Sequence, residues 1–186
     1  KIILFFHNDP LEMKGSKSRK DRSYLINNSS AICFVSNYIK NQFLIDLNVS
    51  TNKLHVLYNG VNLVTKTKHK NEKLITFVGR LVQEKGAHLY LEAVKKLHKK
   101  YKDWDFMVVG STYLGTNLKT RYSQKIKALV LEFGSNVKLT GYLSYQKSQT
   151  IMKKSEILIV PSIWDEPFGL VVAEGMLCGC AIITSN

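Results

Sequence analysis

Short apolar runs alternate with helix-length amphipathic stretches along almost all of this 186-residue chain, and that alternation admits few folds. Runs at 1–6, 31–35, 54–58, 74–78, 105–109, 137–139, 156–160 and 181–184 predict strands, and helical patterns fill 19–29, 37–47, 86–101, 119–134, 145–155 and 170–178. Ser36 and Ser144 stand where helix N-caps belong. Strands as uniformly apolar as Ile157, Leu158, Ile159 and Val160 need cover on both faces. The fold class expected is therefore α/β: a Rossmann-like parallel sheet with helices on both faces. One break interrupts the pattern, where Asn59-Gly60 makes a turn and a lysine-rich, weakly periodic stretch follows. It predicts a first unit over 1–62, a linker over 63–73 and a second unit over 74–186. Both ends of the sequence lie on apolar runs, KIILFF and AIIT, so a piece of a longer protein is expected.

Charge is the feature most open to misreading. The formal net charge is +13, with an excess of +4 over residues 1–64, +9 over 65–135 and none over 136–186. Much of the middle excess is Lys95, Lys96, Lys99, Lys100 and Lys102, at the end of an amphipathic helix whose inner face would carry Leu89, Ala93, Val94 and Leu97. Lysines there complement the helix dipole on a solvated face. No aromatic platforms are interleaved with them, which argues against a nucleic-acid partner. Lys14, Lys17, Arg19, Lys20 and Arg22 make a second basic run, open to two readings: a solvated helix start, or a surface meeting a phosphorylated acceptor or an anionic membrane. No apolar run reaches the roughly 20 residues that a bilayer-spanning helix needs. Cys33, Cys178 and Cys180 lack C-x-x-C spacing and read as small buried hydrophobes in a reducing cytosol. With the five histidines scattered as well, no bound metal is expected.

Two constellations carry chemistry. Phe77-Val78-Gly79-Arg80, then Glu84-Lys85-Gly86, is a strand ending in glycine followed by a guanidinium and an ammonium five positions apart. Ligands of open α/β sheets bind outside the carboxyl ends of strands, and a diphosphate would find there a planar fork, a point charge and approachable backbone. Taken alone, the pair also reads as two surface cations in a loop. The second constellation runs Pro161-Ser162-Ile163-Trp164-Asp165-Glu166-Pro167-Phe168-Gly169-Leu170 and continues to Glu174. It joins a strand end to a helix start whose first amides form an anion and hydroxyl site. Its two glutamates suit sugar or ribose diols.

The order G-R-x-x-x-x-K-G, T-G-Y, P-S-x-x-x-E-P-F-G-L-x-x-x-E resembles glycosyltransferase family 4, whose members have the two-Rossmann-domain GT-B fold and transfer a sugar from a nucleotide diphosphate with retention, usually without a metal. The resemblance implies a nucleotide-diphosphate sugar as donor substrate and no cofactor. It makes Arg80, Lys85 and Glu166 the catalytic groups and assigns donor binding to Gly79, Gly110, Gly141, Tyr142, Phe168, Gly169, Leu170 and Glu174, with Glu174 on the ribose. Residues 74–186 would be the nucleotide-sugar domain, cut short at its end, and 1–62 part of the acceptor domain, bringing His7, Asn8 and Asp9 to the acceptor side. His7 also reads as a structural hydrogen-bonder. The implied partners are a glycan or lipid-linked acceptor and an anionic membrane surface. The implied setting is cytoplasmic, peripheral on the inner membrane face, in surface polysaccharide or lipopolysaccharide synthesis. A nucleotide-sugar epimerase of the same fold and a non-catalytic nucleotide-sugar-binding subunit are the alternatives.

Overall fold

The computed structural model describes residues 1–62, 72–113 and 119–185. Strands and helices alternate as β1 (Ile3–Phe6), α1 (Arg19–Asn28), β2 (Ala31–Phe34), α2 (Asn37–Leu44), β3 (Leu54–Val56), β4 (Glu72–Val78), α3 (Ala87–Leu97), β5 (Asp105–Val109), α4 (Arg121–Leu131), β6 (Val137–Leu139), α5 (Tyr145–Lys154), β7 (Ser155–Val160), α6 (Leu170–Cys178) and β8 (Ala181–Thr184). Each expected strand and helix has a counterpart. Of the expected linker, residues 63–71 lie outside the described residues, while Glu72 and Lys73 are the first residues of β4. The chain divides into two compact units, Lys1–Gly60 with Glu166–Gly169, and Val61–Asp165 with Leu170–Asn186.

The first unit holds a three-stranded parallel sheet, β1-β2-β3. Alternation along β2 sends Ile32 and Phe34 into a core with Phe6, Ile26, Ile39 and Phe43. Phe6, Phe34 and Phe43 stack at centroid separations of 5.1 to 5.7 Å, and each buried ring contributes about 1.5–3 kcal/mol. Helix α1 starts in a capping box: the Ser18 hydroxyl accepts from the Asp21 amide, and the Asp21 carboxylate accepts from Ser18. The basic run is not uniformly solvated. Arg22 is 2% exposed and donates to the carbonyls of Ser16, Lys17 and Ile45, charge-assisted hydrogen bonds that offset the desolvation of its guanidinium. Lys14, Lys17, Arg19 and Lys20 remain exposed.

The second unit is built on a five-stranded parallel sheet in the order β6-β5-β4-β7-β8. Successive strands step outward from β4 through β5 to β6. The chain then returns to the other side of β4 as β7 and steps outward again to β8, so the strand order reverses between β4 and β7. Side chains alternate between two cores. Phe77, Phe106 and Val108 join Tyr90, Leu91, Val94, Ile126 and Val130 from α3 and α4, whereas Val78, Leu158 and Val160 join Met152, Val171 and Val172 from α5 and α6. The α3 stripe is Ala87, Tyr90, Leu91 and Val94. Leu89 and Ala93, expected inside, are exposed, because at about 100° per residue they lie on the face opposite the stripe that Ala87, Tyr90, Leu91 and Val94 bury. Tyr90 spans two strands: its hydroxyl donates to the Ile75 carbonyl at 2.8 Å and accepts the Met107 amide at 3.1 Å. Burial holds that phenol neutral. Ser36 and Ser144 cap α2 and α5 as expected. All three cysteines are free, and burial pushes the Cys180 thiol up to about 11. Among the described residues no helix is long and apolar enough to cross a membrane.

Candidate functional site

A parallel sheet whose strand order reverses leaves a crevice outside the carboxyl ends of the strands flanking the reversal. Here those strands are β4 and β7, and the loops leaving them are 79–86 and 161–169. The exits of β4, β5 and β6 run side by side beyond the strands themselves. The Gly79 amide donates to Val109 O at 3.0 Å, Leu81 to Ser111 O at 2.9 Å, and Gly110 to Gly141 O at 3.1 Å. Such closeness dictates residue type. Gly110 has φ +146°, and a Cβ there would overlap the Gly79 carbonyl oxygen and lie 2.9 Å from its carbon. Close approach thus requires glycine at 110, whereas Gly141 has open space around it and is set apart by its left-handed φ of +72°.

Leu81, buried in the core, pins the loop after β4. Arg80 beside it is exposed. Lys85 lies on a single 3-10 turn, Gln83–Lys85, which ends in the left-handed Gly86. Two contacts tie this loop to the one after β7: the Ile163 amide donates to Glu84 O at 2.8 Å, and the Lys85 ammonium lies 5.1 Å from the centroid of the Trp164 ring. Helix α3 starts at glycine, without a capping side chain of its own. The Tyr122 hydroxyl of α4 accepts the His88 amide at 3.2 Å and lies 2.8 Å from His88 Nδ1, with burial raising the phenol.

Glu174 is half-buried on α6, and desolvation holds its carboxyl above the usual range. Burial and then the Glu174 charge raise the phenol of Tyr145 on α5, which places that charge near the start of α5. Tyr142 and Leu170 are exposed. Gly79, Arg80, Lys85, Gly110, Gly141, Tyr142, Leu170 and Glu174 thus all belong to the second unit. Glu166, Phe168 and Gly169 group with the first, where the Phe168 ring lies 6.1 Å from Tyr58. In that unit His7 is exposed and stacks on Phe5 at 4.4 Å, and Asn8 is exposed. The Asp9 carboxylate accepts the Leu11 amide at 2.8 Å, closing a turn. Among the described residues no group of three or more His, Cys, Asp or Glu side chains could hold a metal ion.

Sequence reasoning passed over Trp164 and Tyr122. A loop tryptophan two residues before Glu166 was a visible signal for the first. The second needed the packing of α4 against α3.

The chain is 34% identical over its whole length to an uncharacterized glycosyltransferase of Methanocaldococcus jannaschii and spans 48% of that protein. To the lipopolysaccharide 1,2-N-acetylglucosaminetransferase of Salmonella typhimurium it is 28% identical, over 61% of this chain and 30% of that one. It spans about half the length of the first curated relatives it matches. The crystal structure of Anabaena HepE in complex with UDP and glucose superposes with a TM-score of 0.76 at 20% identity, covering 98% of this chain and 52% of that one, so the GT-B fold is shared. The family model for glycosyl transferases group 1 matches residues 62–186, and the chain belongs to that family.

Proposed function

We propose that this chain carries the nucleotide-sugar site and part of the acceptor side of a retaining glycosyltransferase, which moves a sugar from a nucleotide diphosphate to a glycan or lipid-linked acceptor in surface polysaccharide or lipopolysaccharide synthesis. One observation carries the reading: at the reversal of the parallel sheet, the loop leaving β4 carries the cations Arg80 and Lys85 and is tied to the loop leaving β7. The Salmonella relative's name and the UDP in the HepE complex support a nucleotide-sugar donor and a surface-glycan product.

In this scheme residues 74–186 hold the donor and 1–62 face the acceptor. Arg80 and Lys85 grip the diphosphate, where negative charge grows as the anomeric bond breaks, and the amides of Phe168, Gly169 and Leu170 serve as donors to the transferred sugar or its phosphate. Glu166 holds hydroxyls of the transferred sugar and Glu174 the ribose diol, while Gly141 and Tyr142 lie against the base. His7, Asn8 and Asp9 stand on the acceptor side. The leaving group is stabilised by protein cations and amides, so the scheme uses neither a metal nor a protein nucleophile. The exposed Lys14, Lys17, Arg19 and Lys20 attract an anionic membrane surface at the cytoplasmic face. The test is Lys85→Ala in the intact protein: sugar transfer should fall at least tenfold while the unfolding temperature stays within a few degrees. Unchanged transfer would remove Lys85 from the scheme and the reading with it.

A further inference from the structure

Two ridges of polar side chains meet where α5 packs beside α6. Both helices cover the same face of the sheet, α5 through Met152 and α6 through Val171 and Val172. Tyr145 opens α5 and Gln149 follows one turn on, while Glu174 and Cys178 stand one turn apart on α6. The Cys178 sulfur lies 3.9 Å from the Gln149 carbonyl oxygen, which sets the two ridges against each other. The Gln149 side-chain amide donates to the Tyr145 phenol oxygen at 2.6 Å, so the accepting side of the phenol is occupied and its hydrogen is left to give. Burial first, and then the nearby Glu174 charge, raise that phenol. Among the described residues the Tyr145 hydroxyl donates to no acceptor, and desolvation of the half-buried Glu174 carboxylate is not offset by any donor. The phenol is 40% exposed and therefore within reach of a ligand. It also stands three residues beyond Tyr142, on the helix that follows the β6 exit.

We propose that Tyr145 is a further donor-binding residue: its phenol donates a hydrogen bond to an oxygen of the ribose diol whose hydroxyl hydrogens Glu174 accepts, so that side chains from α5 and α6 hold the diol between them. A carboxylate can only accept, and once it has taken both hydrogens of a diol the diol oxygens still lack donors. A phenol whose oxygen already accepts from Gln149 has only a hydrogen to offer, which is the complement that the diol needs. Placed between the β6 exit, where the scheme sets the base, and Glu174, where it sets the ribose, the phenol meets the nucleoside at the junction of the two. The inference rests on the reading that Glu174 binds the ribose, and it assigns a second residue to that contact.

The experiment is a calorimetric titration of the intact protein with a nucleoside diphosphate and with its dideoxyribose form, which lacks both hydroxyls of the diol. The probe is whichever of uridine, guanosine or adenosine diphosphate binds the unsubstituted protein most tightly. Tyr145→Phe, which keeps the ring and removes only the hydroxyl, should weaken binding of the ribose form about three- to tenfold, the range of one neutral hydrogen bond. It should change binding of the dideoxyribose form less than twofold, because the group that the phenol meets is gone. A purely structural role for the phenol would weaken both forms alike. Full affinity of Tyr145→Phe for the ribose form, or equal losses on the two forms, would overturn the role of Tyr145 alone. Full affinity of Glu174→Gln for the ribose form would overturn the ribose reading beneath it.

Discussion

Gly86 joins the loop carrying Lys85 to helix α3, and substituting it by alanine separates two effects that usually arrive together. The residue is left-handed, φ +69° and ψ +23°, where an L side chain costs about 1–2 kcal/mol. Its surroundings add a second term. A Cβ built there would overlap the Pro161 carbonyl oxygen, lie 2.8 Å from the carbonyl carbon and 3.3 Å from Pro161 Cγ. These are backbone and ring atoms that cannot rotate away, so the loop after β7 must move, at the 1–3 kcal/mol typical of overpacking. Gly134 is the control: it is also left-handed, φ +83°, but has nothing within 4 Å of a built Cβ. Gly86→Ala should then cost about 2–5 kcal/mol and Gly134→Ala about 1–2 kcal/mol. For a chain of this size each kilocalorie shifts the unfolding temperature by about 2–4 °C, so thermal denaturation should place Gly86→Ala several degrees below Gly134→Ala. Equal losses would show that conformation alone sets the cost and that the two loops are not in contact as described.

Tyr90→Phe removes the hydroxyl that bridges β4 and β5 and leaves the Ile75 carbonyl and the Met107 amide without that partner. Denaturant unfolding should show a loss of about 1–3 kcal/mol with an unchanged m-value, and a loss within error would mean water replaces the hydroxyl. Burial raises the Glu174 carboxyl, so the folded chain holds that proton more tightly than the unfolded chain does; the resulting stability is full below the unfolded value near 4.3 and is lost as pH rises through the folded value. Glu174→Gln should therefore raise the unfolding temperature at pH 7 to 8, with the gap closing toward pH 4, while nucleoside diphosphate binding weakens about tenfold; a gap that ignores pH would refute the first half.

Most of the fold was legible because the alternation of apolar runs and helical stretches leaves a parallel α/β sheet as the economical solution. The errors share one cause, that local pattern cannot see its neighbours. Leu89, Tyr90 and Leu91 are consecutive apolar residues, so the buried stripe of α3 could be phased in more than one way until Ala87 packed against the sheet. Arg22 sits among exposed cations in sequence, and only the closing of the 9–18 loop and the end of α2 supplies the carbonyls that bury it. Trp164 was in view, but a lysine 79 positions away is a partner that spacing cannot propose.

The glycine-rich half of the β4 motif and its cationic half do not testify to the same thing. Gly86 is excluded from carrying a side chain by Pro161, and Gly110 by Gly79; both obstacles are atoms of the protein's own backbone. A sheet with these strand exits would need those glycines whether or not anything bound there. No such packing demand accounts for Arg80, which is exposed, or for a glutamate kept half-buried on α6 against the cost of desolvation. It follows that lost activity in a glycine variant would report a displaced loop and nothing about chemistry. The charged and aromatic groups, which the sheet could do without, are where a substitution distinguishes a sugar-transfer site from a well-packed strand end.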